Sequence, residues 1–311
     1  MRKNKSVLLS LSIAAVSTIL VAGCGTGSSG SLSTSGNASN TSSTTSSVPT
    51  TSGNKGTISI GYVDWAEDVA DVYLWKDLLE QRGYKVNLHE MQAGPLWVGL
   101  AKGSIDVHFD DWLPTTDKVY MQKFGSKLVD LGKWYQGKTK LGLVVPDYVN
   151  INSISQLNAN ASEFNHEIVG IDAGAGETQI IENTVIPKYN LKLKLVNSSE
   201  TAMLVSLSKA EKQHKPIVVV LWSPHWAFAK WHLKYLSDPK NTFGSSGWIQ
   251  TEANKQWAQQ NPTVAGWIRN FKLNQTQLGQ LENDINTASS KQAGVQKWIK
   301  ANQSLVNSWF K

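Results

Sequence analysis

The sequence predicts an α/β fold of two lobes, each a mainly parallel sheet flanked by helices, joined by two crossover strands. Short apolar runs alternate with amphipathic segments in a β-α-β-α-β order from Ile58 to Phe109, and this order implies parallel strands covered by helices. A second unit of the same order spans Glu167 to Leu221. The chain has 311 residues, 41% hydrophobic and 17% charged, which is long enough for two lobes and too apolar for disorder.

Before the first lobe, Arg2, Lys3 and Lys5 lead into an apolar stretch from Val7 to Val21, then Ala22, Gly23 and Cys24. Positive, apolar, small is the order of a signal peptide, and the stretch is short for a membrane span. Val-Ala-Gly-Cys resembles a bacterial lipobox, so residues 1–23 are read as a lipoprotein signal peptide and Cys24 as the lipidated residue. Cys24 is the sole cysteine, which also excludes an intrachain disulfide and a cysteine metal cluster. Several acyl chains anchor stably where one is marginal, so the mature protein is expected on the outer face of the cytoplasmic membrane. Residues 24–56 are dominated by Gly, Ser, Thr and Asn and read as a flexible linker, reaching on the order of 30 Å.

Within the first lobe, Ile58–Val63 reads as a strand and Val69–Arg82 as a helix ended by Gly83. Lys85–Glu90 is a strand, Pro95–Lys102 a helix and Ile105–Phe109 a strand. Leu141–Val145, closed by Pro146, is taken as the first crossover. The second lobe follows with strands at Glu167–Ile171, Lys192–Val196 and Ile217–Leu221 and helices at Glu177–Tyr189 and Glu200–Glu211. A return crossover falls near Leu221 and Trp222, and the remainder is read as helical. Val295, Trp298, Ile299, Leu305, Val306 and Trp309 repeat at helical spacing, which assigns the last tryptophans to packing. The expected lobes are 57–143 with 221–311, and 144–220. Ligands of open α/β sheets bind beyond the carboxyl ends of the strands, here in the cleft.

Charge and motifs remove several function classes. The formal charge of +6 falls to +3 without the three leader cations, too weak a field for a nucleic-acid partner. Gly174-Ala175-Gly176 lacks the rest of a dinucleotide or phosphate-loop fingerprint. His225 and His232 stand seven apart, too far to share a metal on one helix, so no metal or cofactor is expected. Asp110 and Asp111 are adjacent carboxylates, but strand neighbours point to opposite faces, leaving one for a structural pairing. No catalytic residue is assigned, and the protein is not expected to be an enzyme.

Three tryptophans stand where predicted strands end: Trp65 after Ile58–Val63, Trp112 after Ile105–Phe109 and Trp222 after Ile217–Leu221. Core packing would account for any one of them; their recurrence at the cleft edge suggests a shared use. Indole faces carry negative quadrupole, and three around a point would hold a quaternary ammonium, each contributing ~0.5–2 kcal/mol. Asp172 to Thr178 forms a small-residue turn between strand and helix. It reads either as a tight turn alone or as an anion site built from helix-start N–H groups. Together, cage and turn suggest a small zwitterion.

The segments GYVDWAEDVA, MQAGPLWVGLAKGSIDVHFDDWLPTT, KLGLVVPDY, IVGIDAGAGE and VVVLWSPHWAFAKWHLKYLSDPK resemble the glycine betaine-binding lipoproteins of osmoprotective ABC importers, over essentially all of the body from Thr57 onward. The resemblance implies a type II periplasmic-binding-protein-like fold and a three-tryptophan prism for the trimethylammonium group at Trp65, Trp112 and Trp222. It also implies carboxylate capture by the backbone N–H groups of Gly176 and Glu177, and an ABC permease with its ATPase as partners. The ligand would be glycine betaine or proline betaine, the alternative being choline, carnitine or another methylated cation. Close relatives carry a histidine shortly after Trp-Leu-Pro, where this chain has Asp117. Thr115, Thr116 or His225 would then supply polar contacts, or Asp117 points away, or the ligand is less anionic.

Overall fold

A computed structural model describes residues 55–311; the leader, Cys24 and the linker up to residue 54 lie outside the described residues. The chain begins β1 (Thr57–Tyr62), α1 (Ala66–Glu80), β2 (Lys85–Glu90), α2 (Ala93–Lys102), β3 (Val107–Leu113), α3 (Lys118–Phe124), β4 (Leu128–Lys133) and β5 (Lys140–Pro146). It continues β6 (Glu167–Val169), α4 (Gly176–Ile180), α5 (Ile186–Tyr189), β7 (Lys194–Val196), α6 (Glu200–Gln213), β8 (Val219–Ser223), α7 (Ala227–Lys230) and β9 (Leu233–Tyr235). It closes with β10 (Trp248–Asn254), α8 (Lys255–Gln260), α9 (Pro262–Arg269), α10 (Gln275–Thr287), α11 (Lys291–Ala301) and α12 (Gln303–Ser308).

These strands form two five-stranded sheets, ordered β2-β1-β3-β10-β4 and β7-β6-β8-β5-β9. β1 runs parallel to β2 and β3, and β6 parallel to β7 and β8. In each sheet one strand runs antiparallel to both of its neighbours, β10 in the first and β5 in the second. The sheets are therefore mixed where a mainly parallel pattern is expected: four strands of each share a direction, but the fifth contributes two antiparallel ladders. Each reversed strand comes from outside the local β-α-β-α-β unit, which is why the alternation pattern does not reveal it.

The crossovers also lie elsewhere than the apolar runs suggest. β5 pairs with β8 from Lys140–Ser223 to Val144–Val219 and with β9 on its other side. The expected boundaries at 143/144 and 220/221 thus fall inside ladders of the second sheet. The chain passes between sheets in residues 134–139 and 236–247. The stretch expected to be helical also holds two strands. β10 escapes the periodicity because Gln250, Thr251 and Glu252 are polar yet buried. Their polarity is satisfied in part along the strand, with Trp248 Nε1 donating to Gln250 and Gln250 Nε2 donating to Glu252 at 2.7 Å.

The core is aromatic. Trp75 stacks on Phe109 and on Trp309, with ring centroids 5.6 and 6.2 Å apart, and Trp298 stacks on Trp309 at 6.5 Å. Trp75, Trp298 and Trp309 are all fully buried, as the spacing of the C-terminal tryptophans predicts. α1 packs on the first sheet, and α10 and α11 pack on α1 and on each other.

Candidate functional site

Trp65 and Trp112 are held by local hydrogen bonds, and Trp222 by one to a distant part of the chain. In β3, Asp110 and Trp112 share a face because residues two apart in a strand do. Trp112 Nε1 donates to Asp110 Oδ1 at 2.7 Å. The Trp112 backbone N–H donates to Asp117 Oδ2 at 2.9 Å, and the Asp117 N–H returns to the Trp112 carbonyl at 3.0 Å. Trp222, near the end of β8, donates Nε1–H to Glu67 Oε2 at 2.9 Å. Trp65 is the N-cap residue of α1, with its N–H bonded to the Val63 carbonyl at 2.7 Å.

The three indoles come together. Trp65 and Trp222 meet edge to face at 6.3 Å, with planes 66° apart. With Trp112 they line one hollow. Gly176, Glu177, Thr116 and Asp117 complete its other wall. Thr115 does not reach it and lines a neighbouring cavity toward residues 236–247. His225 is also outside, buried against Glu200 with Nε2 3.1 Å from Oε1.

Gly176 begins α4, and no side chain caps that helix start. First-turn N–H groups have no partner within a helix, so those of Gly176 and Glu177 are available on the hollow's wall. The Glu177 side chain points elsewhere, accepting from the Gly142 N–H at 2.9 Å. A Cβ at Gly176 would sit 2.0 Å from the Thr116 carbonyl oxygen. The second sheet's turn therefore abuts the first sheet's loop, and only glycine permits it.

The electrostatics are acidic. Burial, then the proximity of Glu200, pushes Glu67 well above the usual carboxylate range, against the Trp222 N–H that lowers it. Burial and then Glu67 raise Asp110. Burial raises Asp117 to about 7, opposed by the Trp112 N–H. Burial likewise raises Glu177, against the Gly142 N–H. A hollow with aromatic faces favours a soft cation with no N–H to donate. Asp117 is among the residues lining the hollow, with its Oδ2 accepting the Trp112 N–H. Sequence reasoning missed Glu67 and the pairing of Asp110 with Trp112; the two-residue strand spacing could have found the second, whereas nothing local links Glu67 to a residue 155 positions on.

Further contacts draw the lobes together around this hollow. Tyr120 Oη donates to the Gly174 carbonyl at 2.7 Å, and the Ala93 N–H to Asp172 Oδ2 at 3.2 Å.

Two mixed α/β lobes shut over a tryptophan-lined hollow define a bilobal solute-binding protein. Residues 56–301 match the family described as the substrate binding domain of ABC-type glycine betaine transport system, and the chain belongs to this family. A crystal structure of lactococcal OpuAC, closed and complexed with glycine betaine, is 35% identical with a TM-score of 0.77, covering 82% of this chain and all of that one. The glycine betaine, L-proline-binding protein ProX of Borrelia burgdorferi is 32% identical with a TM-score of 0.77, covering 81% of this chain and 96% of that one. Among curated proteins, the glycine betaine/carnitine transport binding protein GbuC of Listeria monocytogenes is 36% identical over 150 residues, 47% of this chain. That match spans 50% of GbuC, about half its length. The fold is periplasmic-binding-protein-like, and the family binds a solute for a transporter without transforming it. No helix among the described residues is long and apolar enough to cross a membrane.

Proposed function

We propose that this protein captures glycine betaine, or the related proline betaine, for uptake by an ABC importer. The observation that carries the reading is the convergence of Trp65, Trp112 and Trp222 on one hollow. The trimethylammonium group sits among the indoles, and the carboxylate meets the N–H groups of Gly176 and Glu177 on the opposite wall. The ligand then bridges both sheets, and its binding energy favours the shut arrangement. Attachment through lipidated Cys24 would keep the body on the outer face of the cytoplasmic membrane, beside a permease and its ATPase.

Asp117 supports a second reading. Where relatives of this family carry histidine, a carboxyl lines the hollow, and when ionised it favours a methylated cation without a carboxylate, such as choline. Calorimetric titration of the full chain in detergent with glycine betaine, proline betaine, carnitine and choline separates the readings. A clear preference for choline overturns the first. Trp112→Ala and Trp222→Ala should each weaken betaine binding at least tenfold while leaving a cooperative melt. Unchanged affinity in both would remove the cage assignment.

A further inference from the structure

The closed lobes are joined by a carboxylate that the ligand itself does not need. Glu200, the first residue of α6 beside the second sheet, is almost fully buried. Its Oε2 accepts the Ala66 N–H at 3.0 Å, at the start of α1 on the first sheet. Its Oε1 lies 3.1 Å from His225 Nε2. His225 Nδ1 accepts the Ala227 N–H at 3.0 Å, which leaves the ring proton on Nε2, directed at Glu200. Ala66 follows Trp65, and His225 lies three residues after Trp222. One carboxylate thus ties together the segments carrying two walls of the cage. It also caps α1 from across the cleft, since that helix has no side-chain cap of its own.

Closure also brings acids together. Glu282 of α10, on the first sheet, faces Trp226 and Lys230 of the second in the groove beside Glu200, and one of its carboxyl oxygens has no partner. The groups around it are Glu67 and Asp71 from α1, Tyr135 after β4, Glu200 from α6, His225, Lys230 from α7, Lys291 from α11 and Asp64. Neither lysine neutralises the carboxyl. Lys230 Nζ lies over the rings of Trp226 and Trp231 at 5.1 and 4.8 Å, and Lys291 Nζ is 3.9 Å from Asp64.

We propose that Glu200 is the inter-lobe latch of the ligand site, and that shutting the lobes presses Glu282 against it, so that closure places a proton from solvent on Glu282. Glu200 is a positioning residue: it holds the cage segments and does not line the hollow. Burial, then Glu200, raises Glu282 from the ordinary 4.5 to about 8 in the shut form, with the Trp226 N–H opposing. In an open form this carboxyl would face water and ionise normally. The shut, ligand-bound state therefore binds one proton more between roughly pH 4.5 and 8. Affinity is fully kept below that window and falls by up to about tenfold per pH unit through it.

The proposal rests on the betaine reading, and the test separates the two. Glycine betaine is titrated into the full chain in detergent from pH 5.5 to 8.5, in two buffers of different ionisation enthalpy, so that proton uptake is read directly. Glu282→Gln should bind about tenfold more tightly than wild type at pH 5.5, with an advantage that widens steadily up to pH 8, and take up about one proton fewer per ligand. Glu200→Ala should bind at least tenfold more weakly at pH 5.5, with partial rescue in Glu200→Gln, whose amide oxygen can still accept the Ala66 N–H. A proton uptake unchanged by Glu282→Gln, as it would be if the proton went to Asp117 beside the cage, overturns the proton assignment. Wild-type affinity in Glu200→Ala overturns the latch. A chain that binds no methylated ammonium compound at any pH overturns the betaine reading and the latch with it.

Discussion

At the scale of single residues, the cage is a problem in holding bulky rings still. An indole left to its rotamers would lose part of the cation attraction to averaging, so each ring needs an anchor. Trp112 donates to two carboxyls, Asp110 from its ring and Asp117 from its backbone N–H, and its carbonyl accepts the Asp117 N–H, while Trp222 is pinned by Glu67. Asp117 has a double role. Its oxygen orders the Trp112 backbone, and its charge biases which ligand tail is accepted. Because burial raises it to about 7, it is mostly protonated at pH 5.5 and mostly ionised at pH 8.5. The ionised form repels a ligand carboxylate. The ratio of glycine betaine to choline affinity should therefore rise about three- to tenfold as pH falls through 7. Asp117→Asn keeps the acceptor for the Trp112 N–H and should make the ratio flat in pH. Calorimetry with both ligands at pH 5.5, 7 and 8.5 checks this, and a ratio unmoved by pH in wild type would remove Asp117 from ligand choice.

At the scale of elements, the approach of the Gly-rich turn to the loop after β3 decides whether the lobes shut. The added methyl of Gly176→Ala would meet the Thr116 carbonyl oxygen, a backbone atom that cannot rotate aside. The clash exists only where the lobes touch, so the variant should keep its melting temperature without ligand and lose at least tenfold in betaine affinity. Differential scanning fluorimetry beside calorimetry distinguishes this from misfolding. The turn was legible in the sequence because Asp172-Ala173-Gly174-Ala175-Gly176 stands between a strand and a helix pattern. The end of β8 was legible to within two residues, because its apolar run stops at Leu221, whereas β3 runs on through Asp110 and Asp111 to Leu113, past the Phe109 where its apolar run stops. β10 was not legible, since its buried Gln250, Thr251 and Glu252 satisfy part of their polarity within the strand and so imitate a surface segment. The reversal of β5 was not legible either, because strand direction depends on partners distant in the chain, and an apolar run reads the same both ways. Glu67 and Glu200 were likewise hidden: each is an acid near a helix start, ordinary in sequence, whose partner lies on the other lobe.

At the scale of the whole molecule, the cost of the acidic interior becomes measurable. Asp71 and Asp111 are fully buried with no hydrogen-bond partner for either carboxyl oxygen. Burial and then nearby acids raise both, as they do Asp68, while burial raises Glu252 to about 7. For each of these the folded value lies above the unfolded one. Stability is then fully present at low pH and is lost as pH rises through the folded value, once the unfolded chain has released protons that the native one still holds. The slope is about 1.4 kcal/mol per pH unit for every proton so held. His108 works in the opposite sense, since burial lowers it to about 4, and its imidazole destabilises the fold only as pH falls below the ordinary 6.5. Between pH 7 and 9 that opposing term is silent and the carboxyls act alone. The ligand-free protein should therefore lose at least several degrees of melting temperature from pH 7 to pH 9, by scanning calorimetry at constant ionic strength. Asp71→Asn, at a carboxyl buried whether or not ligand is bound, should reduce the loss. A melting temperature that is constant or rises over that interval would mean that the buried acids are ionised in the native state and neutralised by water or ions within the first lobe.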